Sequence, residues 1–98
     1  HPAFAREWFR PEEIAHLGEG AEALTLAWSV KEAVLKALGM GMALNPREIE
    51  VQGVDESRVS LALHGDVAKA HAALGGGGWC VTFRREEGRI LVSARLAA

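Results

Sequence analysis

The 98-residue chain holds one cysteine, Cys80, which can form no internal disulfide. No Cys/His group has the spacing of zinc ligands, so disulfide and structural-zinc scaffolds are excluded and a reducing, cytoplasmic setting is the default reading. No apolar run approaches the ~20 residues that span a bilayer, and the start lacks the basic segment and apolar stretch of a secretory signal, so no membrane is expected. Positive charge is not in excess: 11 Lys and Arg stand against 13 Asp and Glu, a net −2 that argues against nucleic acid as a partner. There is no internal repeat, and the only low-complexity segment is Gly75-Gly76-Gly77-Gly78, read as a flexible connector. What is present, 49% hydrophobic and 24% charged residues, suits one folded domain with one core.

Helical spacing of Phe4, Trp8 and Phe9 predicts a first helix. Arg10-Pro11-Glu12-Glu13 opens a second, with Pro in its first turn. After Gly18-Glu19-Gly20 comes the strongest segment, Ala21 to Leu38, with Leu24, Trp28, Leu35 and Leu38 as its apolar stripe and Gly39 as its left-handed end. Beyond Asn45-Pro46 the period changes to two. Ile49 and Val51, then Val59, Leu61 and Leu63, predict two half-buried strands joined by a turn at Gly53-Val54-Asp55-Glu56. Asp66 to Leu74 reads as a packed helix, and Trp79–Phe83 with Ile90–Leu96 as a hairpin turning at Arg85-Glu86-Glu87-Gly88. The order defines an α+β fold, an antiparallel sheet packed on one long helix. The four histidines share no metal spacing, Cys80 reads as a small packed hydrophobe, and the arginines of the last hairpin read as a solvated face.

Chemistry concentrates on the long helix, in Trp28-Ser29-Val30-Lys31-Glu32-Ala33-Val34-Leu35-Lys36-Ala37. By spacing alone, Glu32 and Lys36 form a helix ion pair on a solvated face, worth ~0.3–0.5 kcal/mol. The angular position of Glu32, between Trp28 and Leu35, instead sets its carboxylate along the apolar stripe, where it needs a cationic partner. Lys36 or a metal ion could be that partner. Mg²⁺ usually takes one or two carboxylates and completes its shell with water and phosphate oxygens, so a phosphate-bearing ligand would supply what the protein does not.

This ten-residue stretch, followed by Leu38-Gly39-Met40-Gly41, resembles the signature helix of the 4′-phosphopantetheinyl transferases, whose members include the holo-acyl-carrier-protein synthase and surfactin-synthetase-activating types. Phe4 to Ile14, Ile49-Glu50-Val51 and the hairpin from Trp79 to Ala97 are similar to the family in pattern and order, which extends the resemblance over most of the chain. It implies Mg²⁺-dependent transfer of the phosphopantetheine arm of coenzyme A to a serine of an acyl or peptidyl carrier protein. By position, Glu32 would be a Mg²⁺ ligand, and Lys36 would contact the phosphate chain or assist deprotonation of the serine. Lys31 would aid ligand binding, Gly41 would let phosphate approach the backbone, and Trp28 would mainly pack.

Two departures stand beside the resemblance. The family's other metal-binding acid lies in an N-terminal Gly-x-Asp strand, and no such pattern occurs here. Thr82-Phe83-Arg84 replaces the Ser-His pair of one subfamily, and the hairpin Arg85 to Ile90 is closer to the two-lobed, surfactin-synthetase-activating type. With His1 rather than Met first, residues 1–98 read as one domain that either borrows groups from a neighbouring subunit as a homo-oligomer or forms the C-terminal part of a longer chain. An exposed sheet edge beside the long helix is expected to pair with another chain or lobe. The competing expectation is a catalytically silent homologue that binds a carrier protein or stabilises an assembly.

Overall fold

Pro11 presets the backbone of the first described helix, α1 (Pro11–Leu17), and Glu13 reaches back to accept the Arg10 amide at 2.9 Å, half of a capping box. The computed structural model describes residues 8–17, 20–39 and 44–96. The helix expected at Phe4 and the position of Gly41 lie outside the described residues. Helix α2 (Ala21–Ala37) ends as expected, with Gly39 at φ 73° accepting the left-handed turn that closes it.

A 3-10 turn at Pro46–Glu48, capped by the Asn45 side chain, leads into β1 (Ile49–Asp55), which pairs antiparallel with β2 (Arg58–Leu63). The register steps from Val51↔Leu61 to Gly53↔Ser60, so Gln52 is the extra residue of a β-bulge. The strand therefore continues through the segment expected to turn, and the chain reverses at Glu56-Ser57, with Glu56 at φ 54°. Helix α3 (Gly65–Ala73) follows, its Val67 amide donating to the distant Glu48 carboxylate at 3.0 Å.

The four-glycine run is not a loose connector at its start. Gly75 donates to the Ala72 carbonyl and Gly76 to the His71 carbonyl, both at 3.0 Å. That is the two-bond cap of a helix C-terminus, and φ values of 104° and 63° explain why glycine occupies both positions. The closing hairpin, β3 (Trp79–Glu86) and β4 (Arg89–Leu96), turns at Glu87-Gly88, both at positive φ, as a tight two-residue turn that matches strand twist.

The strands form one antiparallel sheet in the order β1-β2-β3-β4. Among the described residues the expectation of one long helix under the sheet holds only in part: α2 packs on β4 and β1, but α1 also rests on β1, and α3 packs on the 3-10 turn. The buried face of α2 also differs in phase from the expected stripe. Leu26, Ala27, Val30, Lys31, Val34, Leu35 and Leu38 are buried, whereas Leu24 and Trp28 are only partly so. Opposite them lie Phe9, Ile49, Val51, Val59, Val67, Val81 and Phe83.

At the centre of this apolar assembly sit two charged side chains, Glu13 and Lys31, both fully buried. They meet at 2.8 Å. Glu13 also accepts the Val51 amide at 2.8 Å, and Lys31 donates to the Ile49 carbonyl. The Glu48 carbonyl faces β2, accepting the His64 amide at 2.8 Å, so strand alternation turns the backbone amide and carbonyl groups of Ile49 and Val51 to the sheet's outer edge while their side chains stay in the core. The ion pair thus satisfies the outer edge of β1 in place of another strand.

Candidate active site

Helix α2 positions three of the four expected site residues, and they fall into different environments. Glu32 is half-buried and makes no hydrogen bond or ion pair among the described residues. One turn later Lys36 is exposed and is likewise unpaired, so the expected Glu32–Lys36 ion pair does not form within 4.0 Å. With both charges on one flank of the helix and neither neutralising the other, an anionic ligand carrying a cation could meet a carboxylate and an ammonium at once.

Lys31 is placed otherwise. Its ammonium has three protons, and three acceptors of the chain take them: Glu13 Oε1 at 2.8 Å, the Pro46 carbonyl at 2.9 Å and the Ile49 carbonyl. The Phe9 ring lies 4.9 Å from the nitrogen, a further cation–π contact. A ligand would find no free donor there. Burial pushes this ammonium below the ordinary lysine value, opposed by the hydrogen bond and charge of Glu13 and reinforced by Arg10 and Arg47. The sequence reading missed Glu13 altogether; the available signal was its place three residues after Arg10, where an acid completes a helix cap.

Trp28 packs as expected, its ring 6.0 Å from that of Trp8 at 60°, and its indole N–H is buried without an acceptor among the described residues. Of the histidines, His64 meets Glu50 at 2.8 Å and His71 meets the Gly77 carbonyl at 2.6 Å, both within the chain. Cys80 is half-buried and free. In the closing hairpin Arg85 pairs with Glu22 at 2.7 Å and Arg84 with Glu86 at 3.2 Å, in keeping with a solvated, charge-balanced face.

Two clefts of about 520 and 530 Å³ open around the N-terminal half of α2, the first lined by Leu17, Ala23, Leu26, Val54 and Arg85 among others and the second by Glu22, Thr25 and Ile90. Neither is lined by Glu32 or Lys36. At ~1.5 Å rise per residue, Lys36 lies ~20 Å along the axis from Glu22. The donor chemistry at Glu32 fits one position of a hard cation's oxygen shell. No group of three His, Cys, Asp or Glu side chains among the described residues could complete it, so phosphate, water and a further acid would have to do so.

Sequence comparison gives this arrangement its family. A profile for the 4′-phosphopantetheinyl transferase superfamily matches residues 1–84, and the chain belongs to that superfamily. Among curated relatives, proteins named holo-(acyl-carrier-protein) synthase from two strains of Nitratidesulfovibrio vulgaris are 38% identical over 76 residues, covering 74% of this chain and 61% of theirs. One of the same name from Herpetosiphon aurantiacus is 33% identical over 88 residues, covering 82% of this chain and 69% of its own length. The chain therefore spans 61% of the length of the first of these relatives. Their name is that of the first of the two types the resemblance covers, rather than the two-lobed type to which the last hairpin is closer. No helix among the described residues is long and apolar enough to cross a membrane.

Proposed function

We propose that the protein transfers the 4′-phosphopantetheine group of coenzyme A to a serine hydroxyl of an acyl or peptidyl carrier protein. The observation that carries this reading is the pair of charges on α2 left uncompensated among the described residues: a half-buried Glu32 carboxylate and an exposed Lys36 ammonium one turn on, in a chain of the superfamily. In the reaction the serine oxygen forms a bond to the pantetheine-linked phosphorus, the pyrophosphate P–O bond breaks, adenosine 3′,5′-bisphosphate leaves and the serine proton passes to a base. Such transfers depend chiefly on positioning and on neutralising charge that develops on phosphate oxygens.

Glu32 would hold Mg²⁺, which when bound neutralises the pyrophosphate and orients it. Lys36, at the end of a mobile four-carbon stem, donates to a phosphate oxygen or assists removal of the serine proton. Gly41 would let phosphate approach the backbone, as the resemblance implies. Lys31 holds the helix, not the ligand. That no group of three or more His, Cys, Asp or Glu side chains could hold a metal ion among the described residues favours one alternative, a catalytically silent module that binds carrier protein.

One assay separates the two. The complete gene product that carries this chain is incubated with apo carrier protein, coenzyme A and Mg²⁺, and the carrier is weighed by mass spectrometry. Gain of one phosphopantetheine group is expected, with the rate lowered about 10²–10³-fold in Glu32→Ala. No gain with several carriers, or a Glu32→Ala rate within twofold of wild type, defeats the proposal.

A further inference from the structure

We infer that the buried Glu13–Lys31 pair is a positioning device that fixes the rotation of α2 and so aims Glu32; this rests on the reading of Glu32 given above. Lys31 and Glu32 are consecutive on the helix, so the direction of one determines that of the other. The Lys31 nitrogen is tied to three separate segments, Glu13 of α1, Pro46 of the 3-10 turn and Ile49 of β1. The Glu13 carboxylate is tied in turn to the Arg10 and Val51 amides. Any rotation of α2 must stretch charge-assisted bonds between fully buried groups, whereas the neighbouring small contacts of Ala27, Val30 and Val34 carry no directional bond of their own.

The magnitude favours this role over mere stability. Replacing a buried ion pair by apolar side chains of similar volume is often neutral or stabilising, so stability alone gives weak reason for such a pair. A rotation of ~20° moves a carboxylate ~5–6 Å from the helix axis by ~2 Å. A misplacement of ~1 Å can lower a positioned reaction by ~10²-fold. Glu13 and Lys31 are positioning residues: neither is reachable by substrate.

The test uses two variants of the complete gene product, Glu13→Gln/Lys31→Met, which removes both charges, and Glu13→Asp, which keeps both and shortens the strut by one methylene. Fold is followed by circular dichroism and thermal melting. Binding of Mn²⁺, a paramagnetic stand-in for Mg²⁺, is followed by electron paramagnetic resonance in the presence of coenzyme A, and kcat and the carrier KM are measured separately. The expected result is a native spectrum in at least one variant, Mn²⁺ affinity weakened about tenfold or more and kcat lowered ~10–100-fold, with the carrier KM within about twofold. A folded variant with wild-type Mn²⁺ affinity and kcat overturns the inference, and loss of the fold in both variants overturns it in favour of a purely stabilising role. A wild-type protein that neither binds Mn²⁺ with coenzyme A nor transfers the group defeats the functional reading instead.

Discussion

Lys31→Met is the perturbation whose size the structure defines best. Methionine matches the length of the lysine stem but carries no charge, so the Glu13 carboxylate stays fully buried with the Arg10 and Val51 amides and no cation. Breaking one side of a buried pair in this way costs about 3–5 kcal/mol, a large share of the ~5–15 kcal/mol that stabilises a whole domain. With a urea slope near ~1.5 kcal/mol/M, the unfolding midpoint falls by about 2–3 M. Adding Glu13→Gln removes the orphaned charge while its amide oxygen still accepts the Val51 proton, at the loss of the acceptor for the Arg10 amide. The double variant should then lose only about 1–2 kcal/mol, which makes the coupling between the two sites at least ~2 kcal/mol. Urea titrations of the wild type, both single variants and the double variant measure this cycle. A Lys31→Met midpoint within about 0.5 M of wild type, or a double variant as unstable as the sum of the singles, would refute the account of the pair.

Other expectations follow from single positions. Gly65→Ala places a Cβ 2.6 Å from Glu48 Oε2 at a φ of 55° and should cost about 2–3 kcal/mol by displacing the cap of α3, read as a lowered melting temperature; an unchanged melt would contradict the cap. Glu87→Asn should stabilise the last hairpin by about 0.5 kcal/mol, because Glu87 sits at φ 51° in the turn that Asn-Gly fills best, and a lower melting point would be the wrong sign. Because the folded Lys31 value is depressed, the unfolded chain binds more protons between that value and 10.5. Stability should therefore rise with pH across this window and be lost as pH falls through the folded value, a slope absent in Lys31→Met. The chain has no tyrosine to confuse that titration.

Much of the fold was legible because two periods carry it. Ile49, Val51, Val59 and Leu61 alternate, Pro11 and Gly39 mark helix ends, and Glu87-Gly88 lies inside the expected turn. The bulge at Gln52 was not, since one extra residue changes no local propensity, only the register with β2. The phase of α2 was misread for a plainer reason: Ala27 and Val30 are small and Lys31 is charged, so large Leu24 and Trp28 dominate the pattern although they lie on the rim. Only acceptors from residues 13, 46 and 49, remote in sequence, make a core position of a lysine. At Glu32 the residue type and the resemblance sufficed to single it out, and its half-buried, unpaired state became visible only with the helix phase.

The side-chain seal along Ile49 and Val51 gives the sheet a direction of growth. A newcomer strand on that flank would have to evict a fully buried carboxylate and ammonium, while the far margin at β4 imposes no such toll among the described residues. Any further strand, from elsewhere in the gene product or from a second copy, would meet less resistance at the β4 margin, where α2 makes most of its contact with the sheet.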